Sequence, residues 1–138
     1  MEIFEYINSK TNINSEYYAN LKKVFTKETY KKGTILLKPE NSSQKVIFVE
    51  SGLLRMYYQK EDKIITFLFL SENAIMFPLE SVFYNKLDPY GWEVIQDCTL
   101  SVCQFSDLQT LMSTVTHFER FILHESFKVS KQMSDKLF

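Results

Sequence analysis

Two histidines and two cysteines are the side chains of this sequence most able to hold a metal ion. His117 and His124 lie seven residues apart in a helical stretch, so they share one helix face. A zinc site takes about four ligands from Cys, His and carboxylate side chains. No Cys or carboxylate pair completes such a set here. We therefore predict no metal site and interpret both histidines as solvated or interface residues.

The two cysteines lie five residues apart, in a stretch with the pattern of a strand. Strand side chains alternate between faces, so Cys98 and Cys103 should point to opposite sides, and a disulfide between them is geometrically awkward. Free cysteine is among the most buried residue types. We predict two buried thiols that act as small apolar side chains, with a redox-sensing thiol as the alternative.

Motifs for nucleophilic, phosphate-binding or zinc-dependent catalysis are missing. The sequence contains no G-x-S-x-G nucleophile elbow, no P-loop and no H-E-x-x-H. We therefore expect no catalytic residues, no cofactor and no enzymatic activity.

Composition narrows the function classes further. The 138 residues suit one domain, and 17 acidic against 16 basic side chains give a net charge of −1. No basic block of the kind that binds phosphate backbones is present, which argues against nucleic-acid binding by this chain alone. The sequence shows neither a signal peptide pattern nor an apolar run of transmembrane length, so we expect a cytoplasmic protein without a membrane contact.

The elements that must position these side chains begin with a β-rich block from about Glu28 to Phe105. Gly33 marks the turn into a first apolar strand, and Gly52 interrupts residues 46–58 where we expect the chain to reverse. The arms of a hairpin, 53–59 and 64–70, flank a polar tip at 61–63. The second arm is apolar on both faces and is predicted to be covered on both. Residues 92–95 and 100–105 are predicted as closing strands, separated by a turn at 96–99.

Helices are predicted on both sides of this block. Residues 2–8 and 16–25 have the pattern of short helices, and Ser106 is a suitable N-cap for another. A longer helix begins near His117 and carries two apolar stripes, although a helix packed on one body needs only one. The first stripe is Phe118, Ile122, Val129 and Met133; the second is Leu123, Phe127, Ser130, Ser134 and Leu137. We predict that the second stripe forms a homodimer interface, the alternative being contact with the N-terminal helices.

Several runs resemble the effector domain of the Crp/Fnr family of bacterial transcription regulators. These runs are 31–36 (KKGTIL), 47–58 (IFVESGLLRMYY), 93–100 (EVIQDCTL), 105–111 (FSDLQTL) and 116–120 (THFER). The sequences of these runs are similar to those of the PrfA-like or small Crp-like branch of the family. The resemblance implies N-terminal helices over 1–27, a β-roll over 28–105, and a short helix plus a long dimer helix over 106–138. In the family a helix-turn-helix domain follows the long helix, and we expect that domain to be absent from this chain.

The resemblance also locates the family's cyclic-nucleotide cassette, in which F-G-E-x-x-L is followed by R-x-A. The family's carboxylate holds the ribose hydroxyl, and its guanidinium neutralises the cyclic phosphate. In this sequence Phe77 replaces the Gly, Pro78 replaces the Glu, and Pro89 or Tyr90 replaces the Arg. Neither the carboxylate nor the guanidinium of the cassette is present at these positions, so we expect no cyclic-nucleotide binding.

These observations predict a mainly β fold, a double-stranded β-helix (jelly roll) like that of cyclic nucleotide-binding domains. The predicted function is the sensory domain of a dimeric transcription regulator, which would reach DNA only through a helix-turn-helix domain. The alternatives are a cupin-like metalloenzyme and a ligand-free dimerisation module. An unidentified small-molecule effector would bind between the roll and the start of the long helix, unless the same aromatic rings fill the roll. Its predicted contacts are Phe69, Met76, Phe77, Glu80, Ser81, Tyr90 and Trp92.

Overall fold

The N-terminal segment is helical. In this computed structural model, which describes residues 1–13 and 15–137 but not the side chains at 15, 136 and 137, helix α1 spans Ile3–Lys10. A 3₁₀ turn (Ser15–Tyr17) leads into α2 (Tyr18–Val24). The Glu2 carboxylate accepts hydrogen bonds from the backbone N–H groups of Phe4 and Glu5 and so caps α1. Both predicted N-terminal helices are confirmed.

Six strands form one antiparallel sheet that makes the β-roll. The spatial order is β1-β6-β3-β4, with β2 paired to β6 and β5 paired to β3. The predicted mainly β fold is therefore confirmed. The strands are β1 (Thr26–Tyr30), β2 (Ile35–Leu37), β3 (Lys45–Lys60), β4 (Lys63–Leu70), β5 (Ile75–Met76) and β6 (Gly91–Gln104).

The two longest strands, β3 and β6, pair along most of their length. We expected a chain reversal at Gly52 and a turn at 96–99, and both expectations are wrong, because each segment continues as one strand. The pairing register shifts at three places between Val49 and Leu54. Such bulges add local twist and let a long strand curve without ending. Gly52 takes a φ of +98° at this point.

The hairpin of β3 and β4 is confirmed, with its turn at Glu61 and Asp62. The prediction that the second arm is covered on both faces is wrong. Ile64 is 53% exposed and Phe69 is 50% exposed, so one face of this arm is partly open to solvent.

Two hydrophobic cores lie on the two sides of the sheet. One packs α1, α2 and the C-terminal helices against the outer side of β3 and β6, and the other fills the roll. Cys103 belongs to the first core and Cys98 to the second, so the prediction that they occupy opposite faces is confirmed.

Three helices complete the fold. A short helix, α3 (Leu79–Tyr84), separates β5 from β6. Helix α4 (Phe105–Thr114) begins after Gln104, so Ser106 lies in its first turn and the predicted Ser106 N-cap is wrong. Helix α5 (Phe118–Leu137) confirms the predicted long helix. No helix of the described residues is long and apolar enough to cross a membrane.

Candidate functional site

The roll encloses a cavity of about 80 Å³ at the end nearest α3. Small-molecule sites are usually about 300–1,000 Å³, so this space holds a few water molecules at most. Five of the seven predicted effector contacts line it. The lining is Met56, Met76, Phe77, Leu79, Glu80, Asp88, Tyr90, Trp92 and Met133.

The other two predicted contacts lie elsewhere. Phe69 is half exposed and faces a groove of about 420 Å³ between β4 and α5. Ser81 is buried and bonded to Asp88. Helix α5 reaches the cavity through Met133, which is in its C-terminal half, whereas we expected contact with its start.

Sequence reasoning overlooked Asp88, a buried carboxylate that organises this end of the roll. Its Oδ1 accepts a 3.2 Å hydrogen bond from the Glu80 N–H in the first turn of α3, and its Oδ2 accepts one from the Ser81 hydroxyl. Its backbone bonds Glu40 and Asn41 in the loop that precedes β3. An Asp directly before Pro89, in a loop, was the only available signal. Asp88 thus gives α3 an internal anion at its N-terminal end.

The charge of the cavity is negative. Glu80 and Asp88 line it, and no Lys or Arg is among the described lining residues. Arg55, on β3, instead pairs with Glu93 on β6 through its Nη2 at 2.5 Å and its Nε at 2.6 Å. It also donates a 3.0 Å bond to Thr66 on β4, so it joins three strands. A phosphate in this cavity would meet two carboxylates and no cation. A second cavity of about 150 Å³, which also reaches Trp92, is lined by both Lys45 and Glu28.

The two apolar stripes of α5 have different environments. Phe118 and Ile122 are buried, and Val129 and Met133 pack against the roll core. The stripe predicted as a dimer interface lies on the surface: Leu123 is 47% exposed, Phe127 is 68% exposed, and Ser130 and Ser134 are also exposed. The Leu137 side chain lies outside the described residues.

A second buried carboxylate, Glu125, ties α5 to α1. It is 1% exposed and accepts bonds of 2.9 and 3.1 Å from the Tyr6 hydroxyl. Lys128 donates to Glu125 at 3.1 Å and to Tyr6 at 2.8 Å. Burial raises the pKa of Tyr6. Burial alone would lower the pKa of Lys128, but the hydrogen bonds of Lys128 to Tyr6 and Glu125, with the nearby Glu125 charge, together raise it. The network therefore keeps a neutral phenol and a charged ammonium around the carboxylate.

Both thiols are buried, at 4% exposure each. Burial raises the pKa of Cys98 and raises that of Cys103 to about 12. Because the thiolate is the reactive form, these shifts oppose redox sensing and favour the interpretation of both as small apolar side chains. No group of three or more His, Cys, Asp or Glu side chains among the described residues is placed to hold a metal ion.

Comparison with known proteins gives a clear result only at the level of structure. No protein-family model and no curated protein sequence matches this chain. A mutant of CooA from Carboxydothermus hydrogenoformans is 22% identical, with a TM-score of 0.73, and the match covers 90% of this chain and 78% of that one.

Two further solved structures are similar. One is the c-di-GMP responsive global regulator CLP of Xanthomonas campestris, at 13% identity and a TM-score of 0.74, covering 90% of this chain and 61% of that one. The chain thus spans about three fifths of CLP. The other is a cyclic nucleotide-binding domain from Methylobacillus flagellatus, at 11% identity and a TM-score of 0.75, covering 91% of this chain and 71% of that one. This chain therefore has the jelly-roll fold of the cyclic nucleotide-binding domains.

Proposed function

We propose that this chain is the sensory domain of a Crp/Fnr-type transcription regulator and that it dimerises through α5. The observation that carries the proposal is the exposed stripe of Leu123 and Phe127 on the long helix that follows the roll. The order of roll, short helix and long helix, and the structural likeness to transcription regulators, support it. Such a protein would act in the cytoplasm and would contact DNA through a separate domain.

The residues of the stripe are spaced as in helices that pair with each other. Residues 123, 127, 130, 134 and 137 follow each other at spacings of 4, 3, 4 and 3, which is heptad spacing. The small Ser130 and Ser134 side chains would let two helices approach closely near their C-terminal ends. Fully burying a Leu or Phe side chain stabilises an assembly by about 1.5–3 kcal/mol, and each of these would be buried twice in a symmetric dimer.

The dimer is tested by light scattering at micromolar concentration. We expect about twice the monomer mass for the natural chain and the monomer mass for Phe127→Glu, because two carboxylates would meet at the symmetric interface. The matched control is Phe83→Glu, which changes another exposed phenylalanine, 59% exposed on α3, and should remain dimeric. A monomeric natural chain, or a Phe127→Glu variant that remains dimeric, would refute this interface.

We further propose that this domain does not respond to cyclic nucleotides. Supporting observations are the 80 Å³ volume, the two lining carboxylates and the lack of a lining cation among the described residues. Pro78, where the family carries its carboxylate, directly precedes α3, and the Glu80 N–H in the first turn of α3 is already bonded to Asp88.

Titration with cAMP and cGMP tests this proposal. We expect dissociation constants of about 1 mM or weaker, which correspond to at most about 4 kcal/mol of binding free energy. Trp92 is the single tryptophan and lines the cavity, so its fluorescence should not change beyond that seen with 5′-AMP as a control. A micromolar constant from calorimetry, with a Trp92 response, would show that the cassette assignment is incorrect.

A ligand-free dimerisation module is a second candidate, and the small cavity favours it. In that case the aromatic and methionine side chains of the roll serve only as a core. The two candidates differ in one observable. Trp92 fluorescence would respond to an effector that enters the roll, and no small molecule would change it in a module without a ligand.

A further inference from the structure

A groove of about 580 Å³ lies outside the roll, between the C-terminal end of α1 and the first two turns of α5. Its volume is within the range of about 300–1,000 Å³ that small-molecule sites occupy. Phe121, which is 3% exposed, forms part of its floor, and Thr11 and Asn12 supply polar groups at one end. The proposed regulator function does not involve this groove.

The walls of the groove are basic. Lys10 projects from α1, His117 lies in the turn directly before α5, and Arg120 and His124 lie four residues apart on one face of α5. The chain has slightly more acidic than basic side chains, yet no Asp or Glu is among the described residues that line the groove. Positive charge is therefore concentrated here.

These cations are mostly unused by the fold. Arg120 forms no ion pair with any residue that the structure describes, and the Lys10 ammonium lies only over the Tyr6 ring, 5.8 Å from its centroid. A carboxylate does approach one of these side chains: the Glu125 Oε1 lies 3.8 Å from His124 Nδ1. Glu125 is buried and already bonded by Tyr6 and Lys128, so it compensates little of the charge in the groove.

The turn that leads into α5 also shapes this groove. His117 has a φ of +72°, in the left-handed region, at the joint between α4 and α5. A side chain with a Cβ in this region costs about 1–3 kcal/mol, and such residues concentrate at ligand-binding and active sites. His117 at this turn lines the groove together with Arg120.

We propose that this groove binds a small molecule through a phosphate group. A guanidinium binds phosphate oxygens with two parallel N–H donors, and an ammonium adds a point charge. Each imidazole supplies an N–H donor even when neutral. A phosphate presents three acceptor oxygens and nearly two negative charges, which match four converging donors better than the two oxygens of one carboxylate do. A molecule bound here would contact α1 and α5 together.

Calorimetric titration of the full chain with inorganic pyrophosphate, at pH 6.5 and fixed ionic strength, tests the proposal. We expect saturable binding with a dissociation constant below about 1 mM. Arg120→Gln should weaken it at least tenfold and Lys10→Gln several-fold. Both side chains are exposed, so these variants should fold like the natural chain.

Lys131→Gln is the matched control, since Lys131 lies on α5 outside the groove and its side chain is 76% exposed. It should change the dissociation constant less than twofold. An equal loss in Lys131→Gln and Arg120→Gln would indicate general attraction to the helix and would overturn the site. Absence of saturable binding would also overturn it. Citrate binding more tightly than pyrophosphate, with the same Arg120 dependence, would overturn the assignment to phosphate.

Discussion

Gly52→Ala should destabilise the domain by about 3–5 kcal/mol, a large part of the 5–15 kcal/mol typical of whole domains. Two effects add. The φ of +98° is a conformation that a residue with a Cβ rarely adopts. A Cβ at this position would also lie 2.6 Å from the Asp97 carbonyl oxygen and 2.6 Å from the Cys98 Cβ. Both neighbours belong to β6, so relief requires the β3–β6 pairing to shift.

Gly33→Ala separates these two effects. Gly33 has a similar φ of +92°, but a Cβ there would have no heavy atom within 4 Å. We expect a loss of about 1–2 kcal/mol from strain alone. Urea unfolding at one protein concentration measures both variants, and the concentration must be constant because dimerisation is linked to stability. Equal losses in the two variants would show that the close approach of β3 and β6 at Gly52 has no energetic consequence.

Glu125→Ala should be the second large effect, a loss of about 2–4 kcal/mol. The substitution removes the acceptor of the Tyr6 hydroxyl, where Tyr6 is only 3% exposed, and with it the hydrogen bond between α1 and α5. Lys128 is half exposed, so its ammonium can return to water at little cost. The loss should therefore come mainly from the buried phenol and from the space left beside it.

Asp135→Ala is the matched control for Glu125→Ala. Asp135 pairs with Lys131 on the same helix, but both side chains are exposed, and exposed pairs contribute little. We expect no measurable change in urea unfolding. Tyr6→Phe should cost about 1.5–3 kcal/mol, because it leaves the Glu125 carboxylate bonded to Lys128 alone. A Glu125→Ala loss no larger than that of Asp135→Ala would show that the buried network does not hold α5 in place.

The outcome at β6 illustrates where sequence patterns are insufficient. Three of the residues 96–99 are polar, with Gln96 and Asp97 exposed, and this pattern is typical of a turn. In the fold they continue the strand, because β6 pairs with β3 both before and after a series of bulges. A bulge depends on how two strands pair, so it cannot be predicted from the alternation of apolar and polar residues along one strand.

In the candidate sites, too, local sequence patterns predicted some features, and others depend on residues that are distant in the chain. The sequence alone predicted the second α5 stripe, because helical periodicity is a local property. A helix packed on one body needs one apolar stripe, so a second stripe stands out in the sequence. Asp88 and Glu125 were not recognised. A buried carboxylate has the same local pattern as an exposed one, and the partner of Glu125 at Tyr6 lies 119 residues away in the chain. The basic groove likewise needs Lys10 beside Arg120, which only the packing of α1 on α5 achieves.

The sequence by itself determined the β-rich block, the hairpin, the flanking helices and the unused apolar face of α5, because all of these follow from short-range periodicity and turn chemistry. The arrangement of the β-rich block as a roll was implied by the resemblance to the Crp/Fnr family. Only the tertiary structure decided the continuous β3 and β6 strands, the small size of the roll cavity and its negative lining. Cavity volume and charge depend on how side chains from distant segments fill a common space. Met133 from α5 and Asp88 from the loop before β6 meet in that space, although 45 residues separate them in the chain.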